Sequence, residues 1–353
     1  MVNQKIIAGK LGLSQSTVSR ALRRDPQIPE KTRTLVLEAA ESMGYRPNPM
    51  VSSLMEQIRT GKKQEYHGSL VMVVDRKNRE DWFEYQAYRD QYEGFVQQAQ
   101  ARGYRTDCVY LRAENMNAAT LDRMCYHRGV DGIFFTAPNW HETDEFPLTW
   151  EHFVCGTVAY SWSQLRIDRV STAHRQNADR CYKELQNRGY SRIGFLVDVQ
   201  AEHWVDRAWL ASSALHRISV PEREAIPHFV KDETRDQTKD FRQWMARWQP
   251  TAFVCAGINE ATWLDRLGLV PHSFPRVLCN RPPDCEFSGM DENNRAVGAT
   301  LCDILTARIV HNERGLPEHP KTVLIAGKWI QTNLLPDQAP KSVLRLQNKL
   351  LKE

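Results

Sequence analysis

The residues best suited to chemistry in this chain of 353 residues cluster near its start. Arg20 carries a planar guanidinium fork, which matches two acceptors held side by side, as guanine O6 and N7 are in the major groove. Gln15, Ser16 and Ser19 precede it within about one helical turn, and such small or amide side chains permit close approach to an edge rich in donors and acceptors. The same residue types also suit the solvated face of any small helix, and pattern alone supports both readings equally. The charge distribution adds a direction. Residues 1–63 hold 11 Lys or Arg and 5 Asp or Glu, a net of +6, so the rest of a chain of net +4 carries −2. A basic head on a mildly acidic body is the footprint of a protein that docks one end on phosphate.

Local signals define the elements that must hold these residues. Asn3 is placed to cap a short helix reaching Leu11, with Ile7, Ala8 and Leu11 on one face and Gly12 ending it. Ser14 is placed to cap a second helix over 15–22 whose inner face holds Val18 and either Ala21 or Leu22. A third helix is predicted over 30–43, with Leu35, Val36, Ala39, Ala40 and Met43 recurring at helical spacing and Gly44 closing it. Two short helices joined by a glycine-containing turn and braced by a third have helix-turn-helix geometry.

The run GLSQSTVSRALRRDPQIPEKTRTLVLEAAESMGYRPNPMVSSL resembles the headpiece and hinge of the lactose/purine repressor (LacI) family. The matching elements are G-x-S-x-x-T-V-S-R, then K-T-R, then A-A-x-x-x-G-Y-x-P-N, then a leucine six residues after that asparagine. The resemblance implies sequence-specific DNA binding. It places Gln15, Ser16 and Arg20 where the family reads bases, and Ser14, Thr17, Ser19 and Thr32 or Arg33 where it contacts phosphates. Pro47-Asn48-Pro49 breaks the third helix. A further short helix over 50–58 would, by the same resemblance, pair with its copy in the minor groove and wedge Leu54 into a base step, where unstacking is offset by the contacts a bend allows. Val51 stands where the family usually has alanine, and the stretch from Leu54 to the first body strand is longer than usual.

Behind the head, apolar runs at 70–74, 108–111, 132–135, 153–154, 193–197, 252–255, 277–279 and 323–325 read as buried strands. Helical patterns at 88–102, 118–128, 176–188 and 295–311 alternate with them. This alternation predicts doubly wound parallel sheets, which bind ligands at the carboxyl ends of their strands. The fold expected is thus an all-α helix-turn-helix headpiece plus an α/β body of two doubly wound parallel-sheet lobes. GVDGIFFTAP, LQNRGYSRIGFLVD and PTAFVCAG resemble the periplasmic-binding-protein-like body of the same family, which implies three crossings between the lobes and an effector in the cleft between them.

The effector residues expected are Arg207, set before Ala214-Leu215 at the family's spacing, and the strand-end residues Asp75, Thr136, Asn259 and Arg281. Arginine with amides and carboxylates suits sugar hydroxyls or a charged metabolite. Each is equally read as a solvated loop residue or a local ion pair. Leu210 and Ala211 replace the family's glycine and aromatic, Ala173 stands where an acid is expected, and Arg281 replaces another acid. These departures make the usual sugar an uncertain fit. Trp82, Trp140, Trp162 and Trp204 lie in loop-like stretches, where they either stack on a ring or pack against protein.

The domains expected are a headpiece over 1–46, a hinge helix and linker over 47–67, a two-lobed body for effector binding and dimerisation over 68–338, and a tail over 339–353. The tail spaces Val343, Leu346 and Leu350 like heptads but holds fewer than two of them. A homodimer on a two-fold symmetric double-stranded operator is therefore expected, with a tetramer as the alternative.

No phosphate-cradling loop, dinucleotide fingerprint, H-E-x-x-H or G-x-S-x-G occurs, and His141-Glu142 reads as solvated, so no catalytic residue is assigned. Eight cysteines without a C-x-x-C pair read as buried reduced thiols, with no metal site and no cofactor. No run of 18 apolar residues and no leader pattern occur, so a cytoplasmic protein without membrane contact is expected. The whole reads as a repressor whose operator affinity is tuned by a small molecule, a sugar or related metabolite. A DNA-binding regulator without an effector and a solute-binding protein without a DNA role are the alternatives.

Overall fold

The computed structural model describes residues 3–22, 25, 27–45, 66–114, 116–137, 148–160, 162, 165–232 and 234–343. Leu54 and the hinge helix, Trp140, His141-Glu142 and the end of the tail lie outside the described residues. The chain divides into two compact units, Met1–His67 and Gly68–Glu353.

The first unit contains helices α1 (Gln4–Leu11), α2 (Gln15–Leu22) and α3 (Glu30–Ser42). Asn3 caps α1 by accepting from Ile6 N, and Gly12 ends it in the left-handed region at φ 64°. Gly44 takes the same conformation after α3, at φ 65°. The core between the helices consists of Ile7, Ala8, Val18, Ala21, Ile28, Val36, Ala39 and Ala40. Leu35, expected on the inner face of α3, is instead 49% exposed. The buried stripe Val36, Ala39, Ala40 has the i, i+3, i+4 spacing of one face, and Leu35 falls beside it.

The second unit has two lobes, each built on a six-stranded sheet. The first sheet contains β1 (Gly68–Val74), β2 (Tyr104–Tyr110), β3 (Gly132–Phe135), β4 (Val154–Val158), β5 (Asp168–Thr172) and β11 (Thr322–Ile325), in the order β11-β5-β4-β3-β1-β2, all parallel. The second contains β6 (Ile193–Asp198), β7 (Phe229–Lys231), β8 (Ala252–Cys255), β9 (Arg276–Leu278), β10 (Ser288–Asp291) and β12 (Lys328–Ile330). Its order is β12-β10-β9-β8-β6-β7, with only β12 antiparallel to its neighbour.

Both faces of each sheet are covered. Along β1, Leu70, Met72 and Val74 enter one core and Val71 and Val73 the other, as a period of two requires. The short helix α4 (Arg79–Trp82) and helix α5 (Gln86–Ala101) follow β1, and α6 (Ala118–His127) follows β2. The second lobe carries α7 (His174–Asn187), α8 (Ala201–Trp204), α9 (Ala208–Ser219), α10 (Thr238–Trp248) and α11 (Ile258–Arg266). Helix α12 (Asn294–Val310) returns to the first lobe and packs on α5. That crossing is glycine-mediated. A Cβ on Gly94 would lie 2.0 Å from Arg295 O, and one on Gly298 would lie 2.0 Å from Gln91 O.

The chain crosses between the lobes at 172–174, 291–294 and 325–328, so neither lobe is continuous in sequence. This is the three-crossing, doubly wound architecture expected. Strands β5, β7, β10 and β12 were not anticipated. Six of the eight cysteines are buried and all are free. Burial pushes the Cys108 thiol up to about 11 and the Cys125 thiol up to about 12.

Candidate functional site

Two surfaces hold the residues singled out from sequence. The first is the face of α2. Ser14 Oγ accepts from Thr17 N at 3.1 Å and lies 2.7 Å from Ser16 Oγ and 2.8 Å from Thr17 Oγ1, so the residue that starts the helix also fixes its first hydroxyls. Val18 and Ala21 are buried, which turns Gln15 and Ser16 to solvent, with Ser19 and Arg20 partly exposed. Arg20 Nε donates to Asp25 Oδ2 at 2.9 Å, and its terminal nitrogen donates to Gln27 Oε1. The fork is thus held extended by two acceptors on the loop after α2. On α3, Thr32 and Arg33 are half-buried, and Arg33 pairs with Glu30.

The second surface is the cleft between the lobes of the body. A cavity of about 100 Å³ lies there, bounded by Tyr88 and Gln91 of α5, Ser171 and Thr172 of β5, and His174 at the start of α7. Trp204, Val205 and Trp209 close it from the second lobe, and Asn280, Glu292, Asn294 and Val297 complete it. Most of these positions are strand carboxyl ends or first turns of helices, as expected for a doubly wound fold. The geometry is set by the crossovers. His174 Nδ1 lies 2.9 Å from Glu292 Oε1, and Thr172 Oγ1 donates to Glu292 O at 3.2 Å, so the first and second crossovers are tied together beneath the cavity. Asn177 Oδ1 accepts from Gly327 N at 3.3 Å and ties in the third. The Trp209 ring stands edge-on to His174 with centroids 5.6 Å apart.

The cavity wall holds several polar atoms that have no hydrogen-bond partner among the described residues. Ser171 Oγ, His174 Nδ1, Trp209 Nε1 and Glu292 Oε1 are all buried in this state, the His174–Glu292 approach being close but poorly angled for a hydrogen bond. Buried polar groups are normally satisfied, so four around one cavity mark a place built for another molecule.

None of the strand-end residues expected to bind an effector is among the residues that line this cavity. Asp75 is buried and accepts from Arg112 Nε at 2.6 Å. Thr136 is buried, donates to Val73 O at 3.1 Å, and directly precedes the lining residue Ala137. Asn259 is exposed in the first turn of α11. The Arg281 guanidinium donates to the carbonyls of Phe287, Pro282, Pro283 and Cys285 and so binds its own loop.

Arg207 is exposed at the start of α9, and with Asp206 it forms a pair of left-handed residues at φ 57° and 53°. Two adjacent non-glycine residues in that region are costly and are held only where surrounding structure demands them. Their neighbour Glu202 is buried, and burial pushes its carboxyl up to about 7 against the opposing effects of Leu210 N–H and Arg207. Of the tryptophans singled out from sequence, Trp82 and Trp162 are buried and Trp204 lines the cavity, where it is joined by Trp209.

Sequence reading missed Ser171, His174, Glu292 and Asn294, which form the floor. The only signal was the run Asp291-Glu292-Asn293-Asn294, three of whose residues cap or precede a helix.

A helix-turn-helix unit and a two-lobed, periplasmic-binding-protein-like body define the class to which the chain conforms. The profile described as "Bacterial regulatory proteins, lacI family" matches residues 5–48. The HTH-type transcriptional regulator AglR of Rhizobium meliloti (strain 1021) is 47% identical over 73 residues, 21% of this chain and 19% of that protein. The probable HTH-type transcriptional repressor ExuR of Bacillus subtilis (strain 168) is 27% identical over 155 residues, 38% of this chain and 46% of that protein. These matches therefore span less than half the length of either relative. Among solved structures, a transcriptional regulator CelR–cellobiose complex shares the fold with a TM-score of 0.54 at 15% identity, covering 94% of this chain and 99% of the other. The N-terminal domain thus matches the lacI family of bacterial regulatory proteins over residues 5–48. Among the described residues no helix is long and apolar enough to cross a membrane.

Proposed function

We propose that the protein is a sequence-specific DNA-binding transcription regulator, a repressor, whose operator affinity is set by a small molecule bound between the lobes of the body. The observation that carries the DNA half is the face of α2. Ser14 fixes the helix start, Gln15 and Ser16 point outward, and Arg20 presents a fork held by Asp25 and Gln27. Gln15, Ser16 and Arg20 read bases in this proposal. Ser14, Thr17, Ser19 and Thr32 or Arg33 hold phosphates, which positions the helix without carrying sequence information. Leu54 is the proposed wedge at the centre of a two-fold site bound by a homodimer.

The effector half rests on the cavity and its four buried polar atoms without hydrogen-bond partners among the described residues. The CelR structure, whose description names cellobiose, supports a carbohydrate or related metabolite in this cleft. Asp75, Thr136, Arg207, Asn259 and Arg281 become contacts through lobe closure. Selection of DNA from a random pool by the purified protein tests the first half. A two-fold symmetric site is the expected product, and sequence-indifferent enrichment overturns the proposal.

A further inference from the structure

The cleft has an electrostatic character that sequence gave no hint of. Helices α5, α7, α9 and α12 all begin at it, since Ala87, Tyr88, His174, Trp209 and Asn294 from their first turns line the cavity. None of the four has a side-chain cap at its N-terminus. Each helix start carries the positive end of the helix dipole, worth roughly half an elementary charge, although at α9 Glu202 Oε1 already accepts from Leu210 N at 3.2 Å. Independently, three buried side chains in the wall have unpartnered atoms able to donate: Ser171 Oγ, Trp209 Nε1 and the imidazole His174 Nδ1. Among the described residues that line the cavity a single carboxylate opposes them, Glu292, whose Oε1 lies beside that imidazole. Among the described lining residues the unpartnered donors therefore outnumber the unpartnered acceptors, and none is a Lys or Arg.

We infer that the cleft takes a small hydroxylated carboxylate, whose acid group accepts from Trp209, Ser171 and the helix starts and one of whose hydroxyls donates to Glu292. This rests on the reading of the cleft as the effector site. A dianionic phosphate ester fits less well, because it calls for a guanidinium or ammonium partner that the wall does not provide. A ligand amine finds one carboxylate already faced by His174, against four helix starts that repel it.

The test is calorimetric titration of the full-length protein with charge-matched series on gluco and galacto rings: the uronate, the parent hexose and the 2-amino hexose. The same titrations are repeated with Trp209→Phe, which keeps the ring and removes the donor. The expected result is that one uronate binds at least tenfold more tightly than its hexose and its amine, and that Trp209→Phe weakens it by roughly tenfold to a hundredfold, the loss expected for one hydrogen bond to a charged group. Equal or tighter binding of a hexose or amine, weakened by Trp209→Phe, overturns the charge class and leaves the cleft as the effector site. Uronate binding that Trp209→Phe does not change overturns the placement. Binding of none of the compounds overturns this inference, and the effector reading falls separately only if operator affinity also proves indifferent to cell-extract metabolites.

Discussion

His174 and Glu292 belong to different crossovers of the body, 118 positions apart in sequence, yet their Nδ1 and Oε1 atoms lie 2.9 Å apart beneath the cleft. Thr172 donates to the Glu292 backbone at the same point. The floor of the cavity thus also ties the first and second crossovers together, so a ligand that engages Glu292 meets the segments that link the two lobes.

Replacing Glu292 with Ala removes the carboxylate that lies 2.9 Å from the buried His174 Nδ1 and takes an acceptor from the cavity. We expect a stability loss of about 1–3 kcal/mol in urea unfolding, together with loss of any ligand-induced rise in Tm. A variant of unchanged stability that still responds to ligand would show that the pair couples nothing.

Arg20→Ala is expected to weaken operator binding by about 1–3 kcal/mol and to relax one base position. Because Asp25 accepts from Arg20 Nε at 2.9 Å, Asp25→Ala should loosen the fork and reduce specificity less than loss of the fork itself. Binding-site selection with both variants checks this. An unchanged preference in Arg20→Ala removes Arg20 from base reading.

Glu202 predicts a pH dependence. Its folded pKa of about 7 stands above the ordinary 4.5 because burial disfavours the charge. The folded state then holds a proton that the unfolded state has released, so this group costs stability as pH rises through the window from 4.5 to 7. Glu202→Gln should match the parent below pH 4.5 and exceed it by about 1–2 kcal/mol at pH 8, after allowance for screening. Urea unfolding at pH 5 and pH 8 measures the difference, and a gap that does not grow with pH counts against it.

Arg281 tests what a strand-end arginine does. With its guanidinium donating to four loop carbonyls, Arg281→Ala should destabilise the body by about 1–3 kcal/mol. If ligand affinity falls while the unfolding midpoint stays fixed, Arg281 leaves those carbonyls to meet the effector.

The headpiece was legible because its signals are local. Asn3, Gly12, Ser14 and Gly44 each act on residues within one turn, and each takes the cap or left-handed conformation its chemistry favours. Strands β1, β3 and β8 were legible as apolar runs. Strand β5, Asp-Arg-Val-Ser-Thr, and strand β10, Ser-Gly-Met-Asp, were not, because neighbouring strands and helices bury small or polar side chains there. The cavity was hidden for a related reason. Ser171, His174, Trp209 and Glu292 are brought together by sheet topology, and no short-range pattern links a serine before one crossover to a glutamate on another. Arg281 shows the converse, since its position at a strand end was readable but the carbonyls that claim it depend on the path of residues 282–287.

Gly94 and Gly298 press α5 and α12 together backbone to backbone. The two helices start at the cleft with Tyr88, Gln91 and Asn294 in its wall, and Gln91 Nε2 donates to Asn294 Oδ1 at 2.8 Å. They cannot slide past one another without a collision of main chain, so the segment that re-enters the first lobe and the segment that follows its first strand behave as a single lever.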